Sequence, residues 1–223
     1  MDITARHLTK IYREQDRPVI RDVDLTVSTG SFLALMGRSG SGKSTLLNLL
    51  AGIVRPTSGQ VFYGEEDLWS LSDSRRSALR AGMTATIFQS YNLFDFLSVT
   101  ENIALGMRLA GHRAEDGAIE DALAQVGMED LVHARPDELS GGQRQRVAIA
   151  RAVASAPEVI FADEPTGALD EHNGQIVVDL LRSLADGGTT VLMVTHDPDI
   201  AAAADRTLVL RDGVIEGEMA GTR

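Results

Sequence analysis

The most constraining feature of the sequence is an apolar run that leads through a glycine-rich loop into a helical pattern. Phe32–Met36 contains no polar residue, which is typical of a strand covered on both faces in a parallel sheet. From Leu46 to Ile53, leucine and isoleucine recur at helical spacing. The loop between these segments fits the pattern G-x-x-x-x-G-K-[ST], with Gly37, Arg38, Ser39, Gly40, Ser41, Gly42, Lys43 and Ser44. This order of elements predicts an α/β fold with an anion site where the helix begins.

The glycine loop has the chemistry of a phosphate cradle. Glycines allow backbone N–H groups to turn inwards around an anion, and the helix N-terminus adds a partial positive charge. We expect Lys43 to pair with β- and γ-phosphate oxygens, and the Ser44 hydroxyl to hold magnesium. The predicted set of nucleotide contacts extends to Thr45. The sequence therefore predicts a nucleoside triphosphate site with Mg²⁺.

Two neighbouring carboxylates supply the acidic partner that such a loop needs. Asp163 ends the apolar run Val159–Ala162, where a carboxylate at the end of a strand can hold magnesium opposite the loop. Glu164 follows directly and can polarise the attacking water as a general base. In isolation, two acidic residues would more often open a surface loop, but together with the glycine loop they predict a hydrolytic site.

Composition excludes several classes of protein. The chain has 223 residues, a net charge of −11 and no cysteine. The acidic balance argues against a nucleic-acid partner, and the lack of cysteine excludes thiol catalysis, disulfides and cysteine-ligated metals. The N-terminus has no secretion signal, and no window approaches the roughly 18 apolar residues of a membrane span. We therefore expect a soluble chain that meets a membrane only through a partner.

A second candidate anion site lies about a hundred residues after the first. Ser140 and Gln143 form an S-x-x-Q capping box before the helical pattern that starts at Arg144. Gly141 and Gly142 lie within this box, and consecutive glycines weaken a helix start unless something approaches the backbone closely. A single triphosphate needs only one such site. Either the chain binds two ligands, or two chains share each ligand.

With Leu139 before it, the segment Ser140–Gln143 resembles the signature motif of ATP-binding cassette (ABC) ATPases, and the resemblance covers nearly the whole chain. It implies that Tyr12 stacks on adenine and that Gln89 joins magnesium and water to a helical region. It also implies that His196 contacts the γ-phosphate and that Asp170 lies at a subunit interface. In this family two cassettes bind head to tail as a homodimer, which would resolve the question of the two sites.

The same resemblance completes the predicted fold. Ile3–Leu8 and Val23–Val27 have the alternation of a half-exposed antiparallel sheet, and Val191–Val194 is another buried strand. We predict an α/β fold of the P-loop NTPase (RecA-like) type, with a parallel-sheet core, an antiparallel β flank and an inserted α-helical subdomain. The chain would be a single nucleotide-binding domain over 1–223, with its core at 1–88 and 156–223 and its helical subdomain at about 89–155. Thr84–Ile87 replaces the usual glycine-aromatic stretch of close relatives, which leaves the packing of that strand open.

Three classes of function compete. The motifs from Phe88 to Ile103 and from Phe161 to Asp170 look most like cassettes paired with FtsX-like permeases. That resemblance implies a motor ATPase on the inner face of the cell membrane, in the cytoplasm, bound to an integral-membrane permease. The alternative is a soluble cassette ATPase of cofactor assembly. A P-loop GTPase or kinase is the weakest reading, because no N-K-x-D sequence is present and a kinase would not explain the segment Leu139–Gln143.

One apolar segment is the candidate contact with the permease. Between Tyr91 and Met107, apolar side chains are dense for the rim of a small subdomain, and an exposed apolar patch usually marks a binding surface. The residues concerned are Leu93, Phe94, Phe96, Leu97 and Val99. Over so short a run, the spacing is equally consistent with the core of the subdomain itself.

Overall fold

The computed structural model describes residues 1–13 and 16–221, and its main element is a six-stranded sheet. The strands lie in the order β10-β9-β3-β8-β7-β6, and all neighbours are parallel except β9 and β10. Their bounds are β3 Phe32–Met36, β6 Thr84–Ile87, β7 Val159–Asp163, β8 Thr190–Val194, β9 Arg206–Arg211 and β10 Val214–Ala220. The ends of β3 and β7 therefore meet at one edge of the sheet.

A second, antiparallel sheet covers one side of the molecule. Its strands lie in the order β2-β1-β4-β5. Their bounds are β1 Ile3–Lys10, β2 Ile20–Val27, β4 Ser58–Tyr63 and β5 Glu66–Asp67. Buried residues in β2 alternate with exposed ones, as expected for a sheet that packs through one face only.

Seven helices connect and cover the strands in the described part of the chain. They are α1 Lys43–Leu50, α2 Asp73–Met83, α3 Val99–Leu109, α4 Asp116–Ala124, α5 Gly141–Ala154, α6 Glu171–Asp186 and α7 Pro198–Ala201. Short 3₁₀ turns at Glu129–Leu131 and Pro136–Glu138 join α4 to α5. None of these helices combines the length and the hydropathy that a bilayer crossing requires.

The parallel sheet separates two hydrophobic cores. Alternate residues of β7 belong to different cores: Ile160 packs with α3, α4, α5 and α6, whereas Phe161 packs with α1 and the antiparallel sheet. Both side chains are fully buried, which explains why the sequence of a central strand has no polar positions. The sheet thus fixes α1 and α5, the helices that carry the two glycine motifs, on its opposite faces.

The predicted fold class is confirmed, including the antiparallel flank and the P-loop arrangement. Thr84–Ile87 does form a strand, β6, which pairs in parallel with β7 at the edge of the sheet. The division into a core and a helical subdomain stays a prediction, and its outer limits include residues 14, 15, 222 and 223, which lie outside the described residues.

Part of the apolar segment after Gln89 is buried and part of it is exposed, so each of the two interpretations holds for some of its residues. Val99 is fully buried and Leu93 packs against the core of α3–α5, as the core interpretation predicts. Phe94 and Phe96 are 43% and 73% exposed, as the surface interpretation predicts. Their rings contact each other edge to face with centroids 5.7 Å apart, so they form one apolar patch.

Candidate nucleotide site

The glycine loop lies between the end of β3 and the start of α1. No side chain caps α1, and its N-cap residue Gly42 is left-handed, so the first N–H groups of the helix remain free of side-chain acceptors. A methyl group on Gly37 would lie 2.2 Å from the carbonyl oxygen of Leu210. Only glycine therefore allows the loop to turn this close to β9.

Lys43 is a buried cation that spans this loop. Its side chain is only 7% exposed, and Nζ donates to the carbonyl oxygens of Gly37 at 2.9 Å and Arg38 at 3.1 Å. These two acceptors offset part of the cost of burying the ammonium group. The charge is thereby fixed inside the loop, where an anion held by the N–H groups would meet it.

Ser44, near the start of α1, contacts Asp163 at the end of β7. The Ser44 hydroxyl donates to Asp163 Oδ1 at 2.9 Å. Burial raises the pKa of Asp163, and the hydrogen bond from Ser44 opposes this only in part. A hydroxyl and a desolvated carboxylate are oxygen ligands that suit Mg²⁺, and a cation there would offset the burial of the carboxylate. The residues therefore fit the metal that the motif implies.

Glu164 and His196 lie at the ends of neighbouring strands. Glu164 adopts a left-handed backbone with φ 47°, and its N–H donates to the carbonyl of Val194 at 3.0 Å. This conformation is strained for a glutamate and recurs at functional sites. Its carboxylate Oε2 lies 3.4 Å from Nδ1 of His196. The pair therefore presents a carboxylate and an imidazole side by side.

Most of the predicted residues of the first site line one cleft of about 670 Å³, whereas Gly37, Ser41 and Asp163 do not, although Asp163 contacts the lining residue Ser44. It is lined by Tyr12, Val19, Ser39, Gly40, Gly42, Lys43, Ser44, Thr45, Gln89, Glu164 and His196. Val19 was missed by the sequence analysis, because no motif marks an apolar residue outside a strand. The exposed Arg38 side chain lines the neighbouring groove along β9 and β10 instead.

The second glycine motif begins α5 with the predicted capping box. Gln143 N–H donates to Ser140 Oγ at 3.3 Å, and Ser140 N–H donates to Gln143 Oε1 at 2.8 Å. The motif opens into a cleft of about 350 Å³ that has no lining residue in common with the first. This cleft is lined by Ser140, Gly141, Gly142, Gln143, Arg146, Ala168, Leu169, Asp170 and Asn173.

Two further polar residues shape the second cleft. Asp170 caps α6, and the backbone N–H of Asn173 lowers the pKa of this carboxyl group, which keeps it ionised. Arg146 was missed by the sequence analysis. Its position one helical turn after Gln143 is the signal that places it on the same side of α5. It brings a cationic group to a cleft that also holds the Asp170 carboxylate, the Ser140 hydroxyl and the amides of Gln143 and Asn173.

Comparison with known protein families matches residues 20–167 to the ABC transporter domain. The chain belongs to the ABC transporter family. It is the ATPase cassette of that family, an enzyme that uses ATP with Mg²⁺. Over 99% of both chains it superposes, with a TM-score of 0.93 and 34% identity, on a structure described as a dimeric post-hydrolysis state of the ATP-binding cassette MJ0796 bound to ADP and Pi.

Curated relatives agree with this assignment. The chain is 41% identical over 216 residues to the uncharacterized ABC transporter ATP-binding protein YvrO of Bacillus subtilis, covering 95% of this chain and 94% of the relative. It is 45% identical over 199 residues to the macrolide export ATP-binding/permease protein MacB of Bartonella henselae, covering 88% of this chain but 30% of that protein. The cassette thus spans about a third of the MacB relatives it matches.

Proposed function

We propose that this cassette is the motor ATPase of an ABC transporter and works as a head-to-tail homodimer that encloses two Mg-ATP. The observation that carries the proposal is the separation of the two glycine motifs into clefts that share no residue. The two motifs therefore do not face one common cleft within a chain. Two chains related by a twofold axis can place the Ser140–Gln143 motif of one against the nucleotide in the cleft of the other.

In the first cleft the chain binds ATP through its backbone and the side chains of Tyr12 and Lys43. Tyr12 lines the cleft with a partly exposed ring, and the Lys10 ammonium lies over one face of that ring, 4.9 Å from its centroid, so adenine would stack on the other face. Lys43 and the N–H groups of the loop bind the phosphates. The phosphate-binding backbone comprises Gly37, Arg38, Ser39, Gly40, Ser41, Gly42, Lys43, Ser44 and Thr45.

The hydrolytic residues gather at the inner end of this cleft. Ser44, Asp163 and Gln89 would hold Mg²⁺, which when bound neutralises charge on the phosphate oxygens. Glu164 takes a proton from the attacking water as general base. His196, whose Nδ1 lies 3.4 Å from the Glu164 carboxylate, orients that carboxylate and contacts the γ-phosphate.

The second cleft serves the nucleotide of the partner chain. Ser140, Gly141, Gly142 and Gln143 offer a hydroxyl, an amide and the uncapped N–H groups of α5 to its γ-phosphate. Asp170, which borders the same cleft, lies at the interface between the two chains.

The test of the shared site is the substitution Glu164→Gln. We expect ATP binding to persist, hydrolysis to fall by about 10²–10⁴-fold through loss of the general base, and an ATP-bound dimer to accumulate in size-exclusion chromatography. Glu171→Gln is the matched control, because that exposed carboxylate lies in the first turn of α6 outside both clefts. Near-normal turnover of Glu164→Gln would exclude Glu164 as the base, and a strictly monomeric ATP complex would exclude the shared site.

We further propose that the motor drives a separate FtsX-like permease and is thereby held at the inner face of the cell membrane. The names of the MacB relatives, which combine an ATP-binding and a permease part, support such a partner. The apolar patch of Phe94 and Phe96 borders a cavity of about 300 Å³ between α2, α3 and α5. Leu109 at its rim is 66% exposed, so three large apolar side chains are available for contact.

Co-expression with an FtsX-like permease of the same organism tests the contact. Phe96→Asp should keep the basal ATPase rate but lose co-purification and stimulation by the permease, because a charge would be buried in an apolar contact. Phe96→Leu keeps an apolar side chain and should retain both. If Phe96→Asp binds the permease normally, the contact lies elsewhere. If the unsubstituted chain binds no permease, the function is that of a soluble assembly ATPase.

A further inference from the structure

The segment that follows Gln89 contains two consecutive residues in a conformation that side chains disfavour. Tyr91 has φ 61° and Asn92 has φ 50°. The left-handed region costs roughly 1–2 kcal/mol for a residue with a side chain, and it is least unusual for asparagine. A tyrosine there persists only where surrounding contacts impose it.

Arg151 of α5 supplies those contacts. Its Nη1 donates to the carbonyl oxygen of Asn92 at 2.6 Å and its Nη2 to that of Tyr91 at 2.9 Å. The planar fork of the guanidinium thus binds two successive carbonyls at once, which a lysine cannot do. A methyl group on Gly106 of α3 would lie 2.7 Å from Arg151 Cγ, so the neighbouring helix leaves room for this side chain.

Tyr91 also reaches the other end of α5. A methyl group on Gly141 would lie 3.2 Å from the Tyr91 hydroxyl oxygen. Gly141 and Arg151 are ten residues apart on one helix, which corresponds to about 15 Å along its axis. A single residue of the segment after Gln89 therefore contacts α5 near both its first and its last turn.

We propose that Tyr91 and Arg151 are positioning residues that fix the helix carrying the Ser140–Gln143 motif to the segment after Gln89, so that the two move as one body. The inference rests on the proposed head-to-tail dimer. Gln89 lines the cleft for the nucleotide of its own chain, whereas Gly141 lines the cleft that serves the partner. The contacts made by Tyr91 and Arg151 therefore link these two sites within one chain.

The experiment compares Arg151→Ala with Arg151→Lys and with the control Arg108→Ala, an exposed arginine on α3. ATP affinity of the monomer is measured by titration, and ATP-dependent dimerisation by sedimentation in a Glu164→Gln background. We expect Arg151→Ala to bind ATP normally but to dimerise at least about tenfold more weakly, because the motif is no longer held in place. In the active chain, kcat should fall while KM is retained.

Chemical rescue separates positioning from a general loss of stability. The cavity of about 300 Å³ is lined by Arg151, so methylguanidinium added to Arg151→Ala should occupy the vacated position and restore dimerisation. It should have no effect on Arg108→Ala. A merely structural role would lower monomer ATP affinity and dimerisation together. Tyr91→Phe should weaken dimerisation, because it removes the hydroxyl oxygen that lies against Gly141, and Tyr91→Ala should weaken it further.

The outcomes are distinct. Wild-type dimerisation of a folded Arg151→Ala variant overturns the inference. If that variant does not fold, Arg151→Lys decides: weaker dimerisation with normal ATP affinity supports the inference, and unchanged dimerisation overturns it. If Glu164→Gln alone does not dimerise with ATP, the proposed dimer is wrong and the inference falls with it.

Discussion

Asn102 is the residue whose removal should most clearly loosen the apolar patch. It lies in the first turns of α3 and is fully buried. Its Oδ1 accepts from Phe94 N–H at 2.8 Å, and its Nδ2 lies 3.1 Å from the Phe94 carbonyl oxygen. The same nitrogen lies 3.1 Å from the carbonyl of Leu97 and 3.0 Å from that of Ser98. The Asn102 side chain therefore hydrogen-bonds the backbone polar groups of the turn that carries Phe94 and Phe96.

The substitution Asn102→Leu keeps the approximate volume and removes every polar contact. The amide has two protons for three carbonyls, so with the bond from Phe94 N–H about three net hydrogen bonds are lost. At about 1 kcal/mol each, the free energy of unfolding should fall by about 3 kcal/mol. For a domain of this size that corresponds to a decrease of roughly 6–12 °C in Tm.

Urea unfolding and hydrogen exchange together test this estimate. Exchange should accelerate most at the amides of residues 94–98, because the backbone of this turn loses its hydrogen bonds with the Asn102 side chain. Gln125→Ala is the matched control: it removes an exposed amide side chain at the end of α4 and should change stability by less than about 0.5 kcal/mol. A loss below about 1 kcal/mol for Asn102→Leu, or exchange that stays slow at residues 94–98, would refute the reasoning.

Three further substitutions address the nucleotide clefts. Lys43→Ala should abolish tight ATP binding in a titration, and an unchanged affinity would contradict its role at the phosphates. Ser140→Arg should leave ATP binding by the monomer intact but stop hydrolysis, and a mixture with Glu164→Gln should not recover full activity. Asp163→Asn should raise the Tm of the ligand-free chain at neutral pH and abolish the added stabilisation by Mg-ATP. In the unsubstituted chain the folded-state pKa of Asp163 exceeds the ordinary value of 3.8. The stability that this raised pKa gives the ligand-free chain is therefore complete below pH 3.8 and is lost as the pH rises through the folded-state pKa of Asp163. Mg-ATP affinity, in contrast, falls as the pH decreases through that folded-state pKa.

The sequence predicts those parts of the site that depend on local backbone geometry. The cradle is defined by glycines at fixed spacing after a strand, and the Ser140–Gln143 capping box by two residues three apart. Asp212 and Gly213 likewise mark a two-residue hairpin, and both have positive φ, of 47° and 79°. In each case the residues that carry the signal are neighbours in the chain.

The contacts that the sequence did not predict join side chains to distant backbone carbonyls. Arg151 binds the carbonyls of Asn92 and Tyr91, which lie 59 and 60 positions before it in the chain. Every residue type has a backbone carbonyl, so no sequence pattern marks these partners. In the sequence, Asn102 is only a polar residue in a helical region, because its partner Phe94 N–H is brought to it by the fold. Val19 likewise lines its cleft only through tertiary packing. Such partners have no spacing rule, because tertiary packing alone brings them together.

If the proposed permease binds at the apolar patch, coupling would depend on how that patch is joined to the two clefts. Asn102 fixes the turn that presents Phe94, and Arg151 fixes the residues just before it, so the patch cannot shift without moving α3 or α5. Gln89 lies two residues before Tyr91 and borders the first cleft. In the proposed dimer, a displacement of the patch would therefore reach the nucleotide of this chain through Gln89 and that of the partner through α5. The same contacts that stabilise a solvent-exposed aromatic pair would then also synchronise two ATP sites.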